Sequence, residues 1–321
     1  MEINKNIVKT LLNSKRIAIF IHINPDGDCL GSASALKQAL VSLNKTVDIF
    51  SDSLIPENYN FIKYATEIKH DDNVDGYDLH VAVDCSEIKR IGKYSKFFNK
   101  IDNTICIDHH KTRVDFAKIT HNEIVSSTAL IIYYYIKEIA KMDKDIACAL
   151  YAGISSDTGC FMHSNTTSLE HEISADLINY GFDLYNANEN LFKYTTMGKF
   201  ELNKRALMSA EFFANGKVGI FKLTQKDMIE ANADESDTTG LVNQITNVNT
   251  CEIGIIIYEK EKGLFRCSLR SKGRVDVANI AEQFGGGGHA NAAGCNIFGG
   301  LKTAVNKISS VCIKEINKLG L

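Results

Sequence analysis

Short, mainly apolar runs alternate along the chain with amphipathic stretches. The first run, at 17–23 (IAIFIHI), is β-branched and ends at Asn24-Pro25-Asp26-Gly27. The run predicts a strand and the four residues a tight turn, because proline fixes its own φ and steers the residue before it away from helix. Small and apolar residues at helical spacing follow from 31 to about 43, so the segment reads strand, loop, helix. Three more apolar runs, at 47–50 (VDIF), 79–84 (LHVAVD) and 103–108 (NTICID), are separated by helical or irregular stretches. A parallel sheet covered by helices on both faces gives this rhythm, since strands buried on both sides lose the alternation of polar and apolar positions.

Helical patterns dominate next. Ser126-Ser127-Thr128 supplies capping side chains ahead of 129–140, the pattern at 145–157 ends on Asp157, and Asn165-Thr166-Thr167 leads into 168–181, which stops at Gly181. From 186 to 215 the sequence is polar and helical, as expected of a connector. Beyond it, 218–224, 251–261 and 264–272 read as strands, the last two joined at Lys262-Gly263 like a hairpin. A helix over 275–284 then runs into GGGGHANAAGC. The expected fold is α/β, with an N-terminal parallel-sheet domain over 1–185, helices on both its faces, a helical connector over 186–215 and a smaller α/β domain over 216–321. A length of 321 residues agrees, being more than one hydrophobic core usually serves.

Composition narrows the functional classes. A net charge of −3 offers no general attraction to a long polyanion, so a long nucleic-acid tract is not the expected partner, whereas a small anion held at a local site is. Nine cysteines without a CxxC pair, behind an N-terminus lacking the apolar stretch of a secretory signal, predict reduced thiols and a cytoplasmic location. No run approaches the ~18 apolar residues that would span a bilayer, so no membrane partner is expected. A homodimer is left open.

The chemistry sits at the ends of the strands, where ligands bind in open α/β sheets. His22, Asp26 and Asp28 follow the first strand, Asp84 ends the run at 79–84, Asp108-His109-His110 follows 103–107, and Asp157 ends a helix. Any one of these acids alone is most simply a turn or cap residue, and a lone His22 a hydrogen-bonded core histidine. Their convergence at four element ends argues for a metal centre. Gly27, between two acids, is expected to let the backbone turn so that both carboxylates point inward. Asp84 is placed to bridge two ions, with His109 and Asp157 completing the second site. Oxygen-rich coordination with imidazole and no thiolate favours two Mn²⁺, with Mg²⁺ or Co²⁺ as alternatives. Two such ions form a clamp for a phosphoester. Cys29, Cys85 and Cys106 adjoin these positions and are expected to pack the core behind the site, by the alternation of faces along a strand.

The glycine run can be a linker or a loop whose amides approach an anion. Lying between a helix and an AAGC segment inside a folded domain, it reads as anion binding, with Gly286, Gly287, Gly288 and His289 at its centre. Arg270, near the end of its strand, is a natural bidentate partner for a phosphate.

HINPDGD, VAVD, DHH and SSDTG, followed by RSKGRVDV and FGGGGH, resemble the DHH phosphoesterase superfamily with its associated C-terminal domain, and in arrangement the group of bifunctional oligoribonucleases and PAP phosphatases. The resemblance covers almost the whole chain. It implies His22, Asp26 and Asp84 on one metal and Asp28, Asp84, His109 and Asp157 on the other. It places His110 near the scissile phosphate, with Asp108 supporting it, and Arg270 and the GGGGH segment on the substrate's other phosphate and nucleotide portion. The implied activity is hydrolysis of short oligoribonucleotides and linear dinucleotides (pApA, pGpG) to mononucleotides, and of 3′-phosphoadenosine 5′-phosphate (PAP) to AMP. Arg113 departs from the pattern, standing where relatives often place Asn, as does Cys29, where a small residue is commoner. A cyclic-dinucleotide phosphodiesterase is the nearest alternative. A family II pyrophosphatase would carry a different C-terminal signature, a RecJ-like exonuclease further domains and basic grooves, and a non-catalytic nucleotide sensor fewer metal ligands.

Overall fold

In the computed structural model, which describes residues 1–320, the first apolar run becomes β1 (Arg16–Phe20), and it is buried on both faces. Ile17 and Ile19 enter one core and Ala18 and Phe20 another. Ahead of it α1 (Lys5–Asn13), capped by the Asn4 side chain, buries Ile7, Val8 and Leu11. β1 pairs in parallel with β2 (Thr46–Phe50) and β3 (Leu79–Val83). β3 pairs with β4 (Thr104–Asp108), and β4 with β5 (Ile119–Asn122), all in parallel, giving the order β2-β1-β3-β4-β5. The chain leaves β1 for β2 on one side and returns to β3 on the other, so the switch point of the sheet lies at the carboxyl ends of β1 and β3. That crevice is where open sheets of this kind bind ligands.

One face of the sheet is covered by α2 (Gly27–Ser42), α4 (Thr128–Ile139), α5 (Lys144–Asp157) and α6 (Ser168–Ile178), whose buried residues share a core with Ile17, Ile19 and Ile21. The other face carries an aromatic core of Phe20, Phe50, Tyr94 and Phe98, closed by a 3₁₀ segment and α3 (Ser95–Phe98). Cys85 and Cys106 lie in this aromatic core. After α6 and α7 (Leu184–Asn188) the first compact unit ends at Tyr194. No helix is long and apolar enough to cross a membrane among the described residues.

The second unit begins at Thr195, inside the stretch expected to connect the domains. The reason is α8 (Met197–Met208), which buries Leu202 and Ala206 with Phe221 and Leu223 and so belongs to the second core. Its sheet comprises β6 (Glu211–Phe213), β7 (Val218–Leu223), β8 (Ile253–Glu261), β9 (Leu264–Ser271), β10 (Gly287–His289) and β11 (Ala292–Phe298), in the order β10-β11-β9-β8-β7-β6. Only β7 and β8 run parallel. Of the remaining helices, α9 (Gln225–Glu230) and α10 (Leu241–Thr246) follow β7, α11 (Val277–Glu282) precedes β10, and α12 (Leu301–Lys318) closes the chain. α11 and α12 cover one face of the sheet, and α8 and α10 cover the other over β7 and β8. Over β9, which α10 still reaches, and β11 that second face is largely bare, with Arg266, Ser268, Arg270, Ala292, Gly294 and Asn296 in no core cluster of the described residues.

Two expected details change. α2 starts at Gly27 rather than near residue 31, because Asp26 caps it by accepting from the amides of Asp28 and Cys29. Gly27 has no left-handed φ; Asn24 makes that turn at φ 53°. Glycine is required at 27 and 31 for a different reason. A Cβ at Gly27 would lie 2.7 Å from the Ser156 side chain, and one at Gly31 only 2.2 Å from the Ala149 carbonyl oxygen. Across the contact, a Cβ at Gly153 would lie 2.5 Å from Ala129 Cβ and 2.9 Å from Asp28 Oδ1. Bare glycine backbone thus lets α2 and α5 touch, which is what brings Asp28 and Asp157 together.

Gly31→Ala should therefore push the two helices apart and cost about 1–3 kcal/mol, the usual price of overpacking. Chemical denaturation measures it, and an unchanged midpoint would show that the contact is not as tight as its geometry.

Candidate metal centre

Asp84 is the first residue beyond β3 and adopts φ 58°, a left-handed backbone that Asp tolerates better than most residues. Its amide donates to the Ile107 carbonyl at 2.9 Å, and the Thr128 hydroxyl donates to its Oδ1 at 2.9 Å. The side chain, 3% exposed, turns its two oxygens in different directions. Oδ2 lies 3.3 Å from His22 Nε2, and Oδ1 lies 3.6 Å from His109 Nε2. His22 Nε2 is also 3.8 Å from Asp26 Oδ1. His109 Nε2 is 3.2 Å from Asp157 Oδ2 and 4.0 Å from Asp28 Oδ2. The structure therefore brings together all six side chains expected to hold metal, in two groups that share Asp84.

Both histidines are oriented from behind. His22 Nδ1 lies 2.9 Å from the Ile23 carbonyl and His109 Nδ1 3.1 Å from the Val125 carbonyl. A carbonyl only accepts, so in the neutral ring Nδ1 carries the proton and Nε2 presents its lone pair to the carboxylates. Metal-binding imidazoles are commonly held this way. Asp28, with no exposed surface, is fixed by the first amides of α4: Thr128 donates at 2.7 Å and Ala129 at 2.8 Å, while the Ser32 hydroxyl lies 3.3 Å away. A carboxylate at a helix N-terminus is favourable, but these bonds do not neutralise the cluster. Burial, followed by the charges of Asp84 and Asp157, raises the Asp28 carboxyl well above its usual range. Burial, with Asp26 and Asp84, pushes Asp157 up to about 8. Two carboxyls that resist ionising, Asp28 and Asp157, with those of Asp26 and Asp84 and two imidazole lone pairs, form a donor set that fits divalent cations.

His110 adjoins that set, its Nδ1 3.7 Å from Asp84 Oδ1 and its ring grouped with Asp84 and His109, but it has a closer partner of its own. Its Nδ1 bonds Asp108 Oδ1 at 2.7 Å, and the bond raises the imidazole above its ordinary value, so it favours the protonated, donating form. Asp108, in turn, is lowered: burial opposes its charge, but the bond to His110 outweighs it. Asn122 steadies both, donating to the His110 carbonyl at 2.9 Å and lying 3.4 Å from Asp108 Oδ2. Arg113 pairs with Asp115 at 3.5 Å.

In the second unit the glycine run is not a free loop. Gly287, Gly288 and His289 form β10, paired antiparallel with Gly294, Ala293 and Ala292. A Cβ at Gly286 would lie 2.2 Å from the Gly294 carbonyl oxygen and one at Gly288 2.5 Å from that of Ala292, so these glycines let an edge strand lie flat on its neighbour. The register sets His289, Ala292 and Arg270 in one row across the sheet, on the bare face. Arg270 is held by a bond from Nη1 to the Leu269 carbonyl at 3.0 Å.

Sequence reasoning missed three participants. Thr128 orients Asp84 and Asp28, yet read only as a helix cap. Arg266 shares the bare face with Arg270 and lies 3.5 Å from Asn296 Oδ1, a position that the alternation along β9 already implied. Cys29 packs in the core as expected, with no exposed surface, but from the first turn of α2, where the strand rule behind that expectation does not apply. Its sulfur groups with the ligand atoms of His22 and Asp84, all within 4.8 Å of one another.

Residues 16–154 match the model of the DHH family, N-terminal domain, and residues 215–317 that of the DHHA1 domain. The bifunctional oligoribonuclease and PAP phosphatase NrnA of Thermus thermophilus is 29% identical over 315 residues, taking in 95% of this chain and 91% of that protein. A probable bifunctional oligoribonuclease and PAP phosphatase NrnA of Streptococcus mutans is 29% identical over 303 residues, with 92% and 93% covered. Among solved structures, an exopolyphosphatase-related protein from Bacteroides fragilis matches with a TM-score of 0.91 over 98% of this chain and 96% of its own; at 23% identity that likeness concerns the fold.

The frustrated carboxylates give a pH signature. In the metal-free protein the folded state holds on to protons at Asp28 and Asp157 that the unfolded chain releases near 3.8. Stability should thus fall as pH rises from about 4 through about 8, the raised value of Asp157. Thermal melts of chelated protein across that range should show the fall, and saturating Mn²⁺ should flatten it. A metal-free melting curve independent of pH would contradict the electrostatics.

Proposed function

Because this chain belongs to the DHH family and carries a DHHA1 domain as well, we propose that it is a two-metal phosphodiesterase of short oligoribonucleotides and linear dinucleotides (pApA, pGpG), releasing nucleoside monophosphates. It also converts PAP to AMP. The observation that carries this reading is the division of Asp84 between His22 and His109, which gives two cation positions one shared carboxylate. The substrate class is supported by the names of the relatives, two of which match over more than nine tenths of this chain. The net charge of −3 agrees with a short substrate rather than a long polyanion.

His22, Asp26 and Asp84 hold one cation and Asp28, Asp84, His109 and Asp157 the other, with Mn²⁺ the resident ion and Mg²⁺ or Co²⁺ able to replace it. When bound, the pair supplies charge neutralisation at the phosphoryl oxygens and an acidified water. The chain's own residues do the rest. Thr128 and the α4 amides keep Asp84 and Asp28 in place, so no ligand has to reorganise as charge develops. His110, kept protonated by Asp108, donates a hydrogen bond to the scissile phosphate. Arg270, with Gly286, Gly287, Gly288 and His289, binds the substrate's other phosphate and nucleoside. The enzyme works in the cytoplasm, where its nine thiols stay reduced.

The test is a panel of pApA, pGpG, PAP, cyclic di-AMP and pyrophosphate, compared by kcat/KM with Mn²⁺. Linear dinucleotides and PAP should be turned over; hydrolysis of pyrophosphate alone would overturn the substrate class. Asp84→Asn keeps the backbone conformation but not the charge, and should lower kcat by more than ~100-fold, the upper end of what losing a mere supporting partner costs. Near-normal turnover in a folded Asp84→Asn protein would rule out the shared ligand. Arg270→Ala should raise KM with little change in kcat, and an unchanged KM would remove the bare sheet face from the substrate site.

A further inference from the structure

The two halves of the centre are chemically unequal. Around His109 the partners are the carboxylates of Asp28 and Asp157, a nitrogen and oxygen set. Around His22 they are the carboxylate of Asp84 and the sulfur of Cys29, a nitrogen, oxygen and sulfur set. The geometry points to Cys29 as a thiolate ligand on the His22 side, making that half a site for thiophilic divalent cations such as Zn²⁺ and Cd²⁺ while the His109 half remains a Mn²⁺ site. The inference rests on the reading of the cluster as a metal centre and adds a donor to it.

Four observations carry it. The donor atoms of His22, Cys29 and Asp84 lie within 4.8 Å of one another, so one ion can reach all three with small adjustments. The three side chains are buried, at 3%, 0% and 3% exposure, which favours a dehydrated cation over a hydrated one. The Cys29 sulfur bonds the His22 ring, one of its proposed co-ligands, and otherwise meets only the Val83 carbonyl at 3.9 Å, close to the limit for a sulfur hydrogen bond. And Cys29 sits in the first turn of a long helix, its own amide bonded to Asp26, so its sulfur is fixed in position beside His22 and Asp84. By contrast, Cys85 and Cys106 lie in the aromatic core on the other face of the sheet.

The chemistry is an exchange of partners without redox change. The Cys29 S–H bond breaks, its proton leaves to solvent, and a sulfur–metal bond forms. Thiolate donors favour Zn²⁺ and its heavier congeners, whereas carboxylates suit Mn²⁺. Zn²⁺ on the His22 side would therefore compete with Mn²⁺ there and not at the His109 side.

Metal-stripped full-length protein is titrated with Cd²⁺ and followed by its ultraviolet thiolate-to-metal charge-transfer band. The wild type should develop the band as the first equivalent binds. Cys29→Ser and Cys29→Ala should lose it, while a Cys148→Ser/Cys160→Ser variant, which removes the two part-exposed thiols, should keep it. In competition titrations with a chromophoric chelator, Cys29→Ser should weaken Zn²⁺ binding by at least ~10-fold, the scale on which such sites respond to a lost supporting group, and leave Mn²⁺ binding within about 3-fold. Mn²⁺ binding without any Cd²⁺ band in the wild type, or a band that survives both Cys29 variants, would overturn the thiolate ligand while leaving the metal centre intact. Failure of the wild type to bind either ion would overturn both. The wild-type band needs no substitution, so its absence overturns the ligand even if a variant does not fold, and its presence is assigned by whichever Cys29 variant folds.

Discussion

Asp28 has a carboxyl group with no exposed surface, and the catalytic half of the fold is arranged around making that tolerable. Hydrogen bonds to an ion contribute about 1.5–3 kcal/mol each, and Asp28 receives two from the start of α4. Burying an ion costs several kcal/mol, and the neighbouring acids add to that cost. The deficit is what a cation removes. The same bonds tie α4 to α2, the Thr128 hydroxyl ties α4 to Asp84, and the glycines of α2 and α5 let Asp157 approach. Position and charge are one problem here: the contacts that bring the acids together are also those that keep them from relaxing apart.

The divide between what the sequence discloses and what it conceals follows the range of the forces involved. His22, Asp84 and His109 were legible because each stands just past an apolar run, and a strand end is a local feature. Asp157 was legible at the end of a helical pattern. The start of α2 was misread because apolar periodicity begins near residue 31, whereas the side-chain cap at Asp26 acts earlier and has no hydrophobic signature. Cys29 does pack in the core as expected, but from the first turn of α2 and beside His22 and Asp84, which no strand rule could show. Gly27 was noticed for flexibility it does not use; its partner Ser156 is far along the chain, and only the folded contact reveals it. β5 has a single apolar position in four and could not be told from a loop.

In the second unit, glycine misleads in a related way. A strand normally announces itself through side chains, and β10 has almost none. Its evidence lies in the neighbouring strand, whose carbonyls would collide with any Cβ at Gly286 or Gly288. The result is a smooth, narrow margin beside Arg270 and Arg266, on a sheet whose strands β7 and β8 are covered on both faces. Burial and exposure are thus separated within one sheet: β7 and β8 are covered on both faces, while β9 and β11 keep a part-exposed one.

The left-handed backbone of Asp84 has a consequence for how this protein can vary. Glutamate would keep the charge, but its longer side chain would move both oxygens off the two histidines. Glycine would accept the backbone but contribute no oxygen. β-Branched residues would meet the steric penalty of positive φ. Hence a single codon position, set at the meeting of two strand ends, has almost no neutral neighbours among the twenty amino acids. A protein built on this scaffold with any other residue here would lack the oxygens shared between the two histidines, so the identity of this one residue is a compact indicator of whether the double site can form.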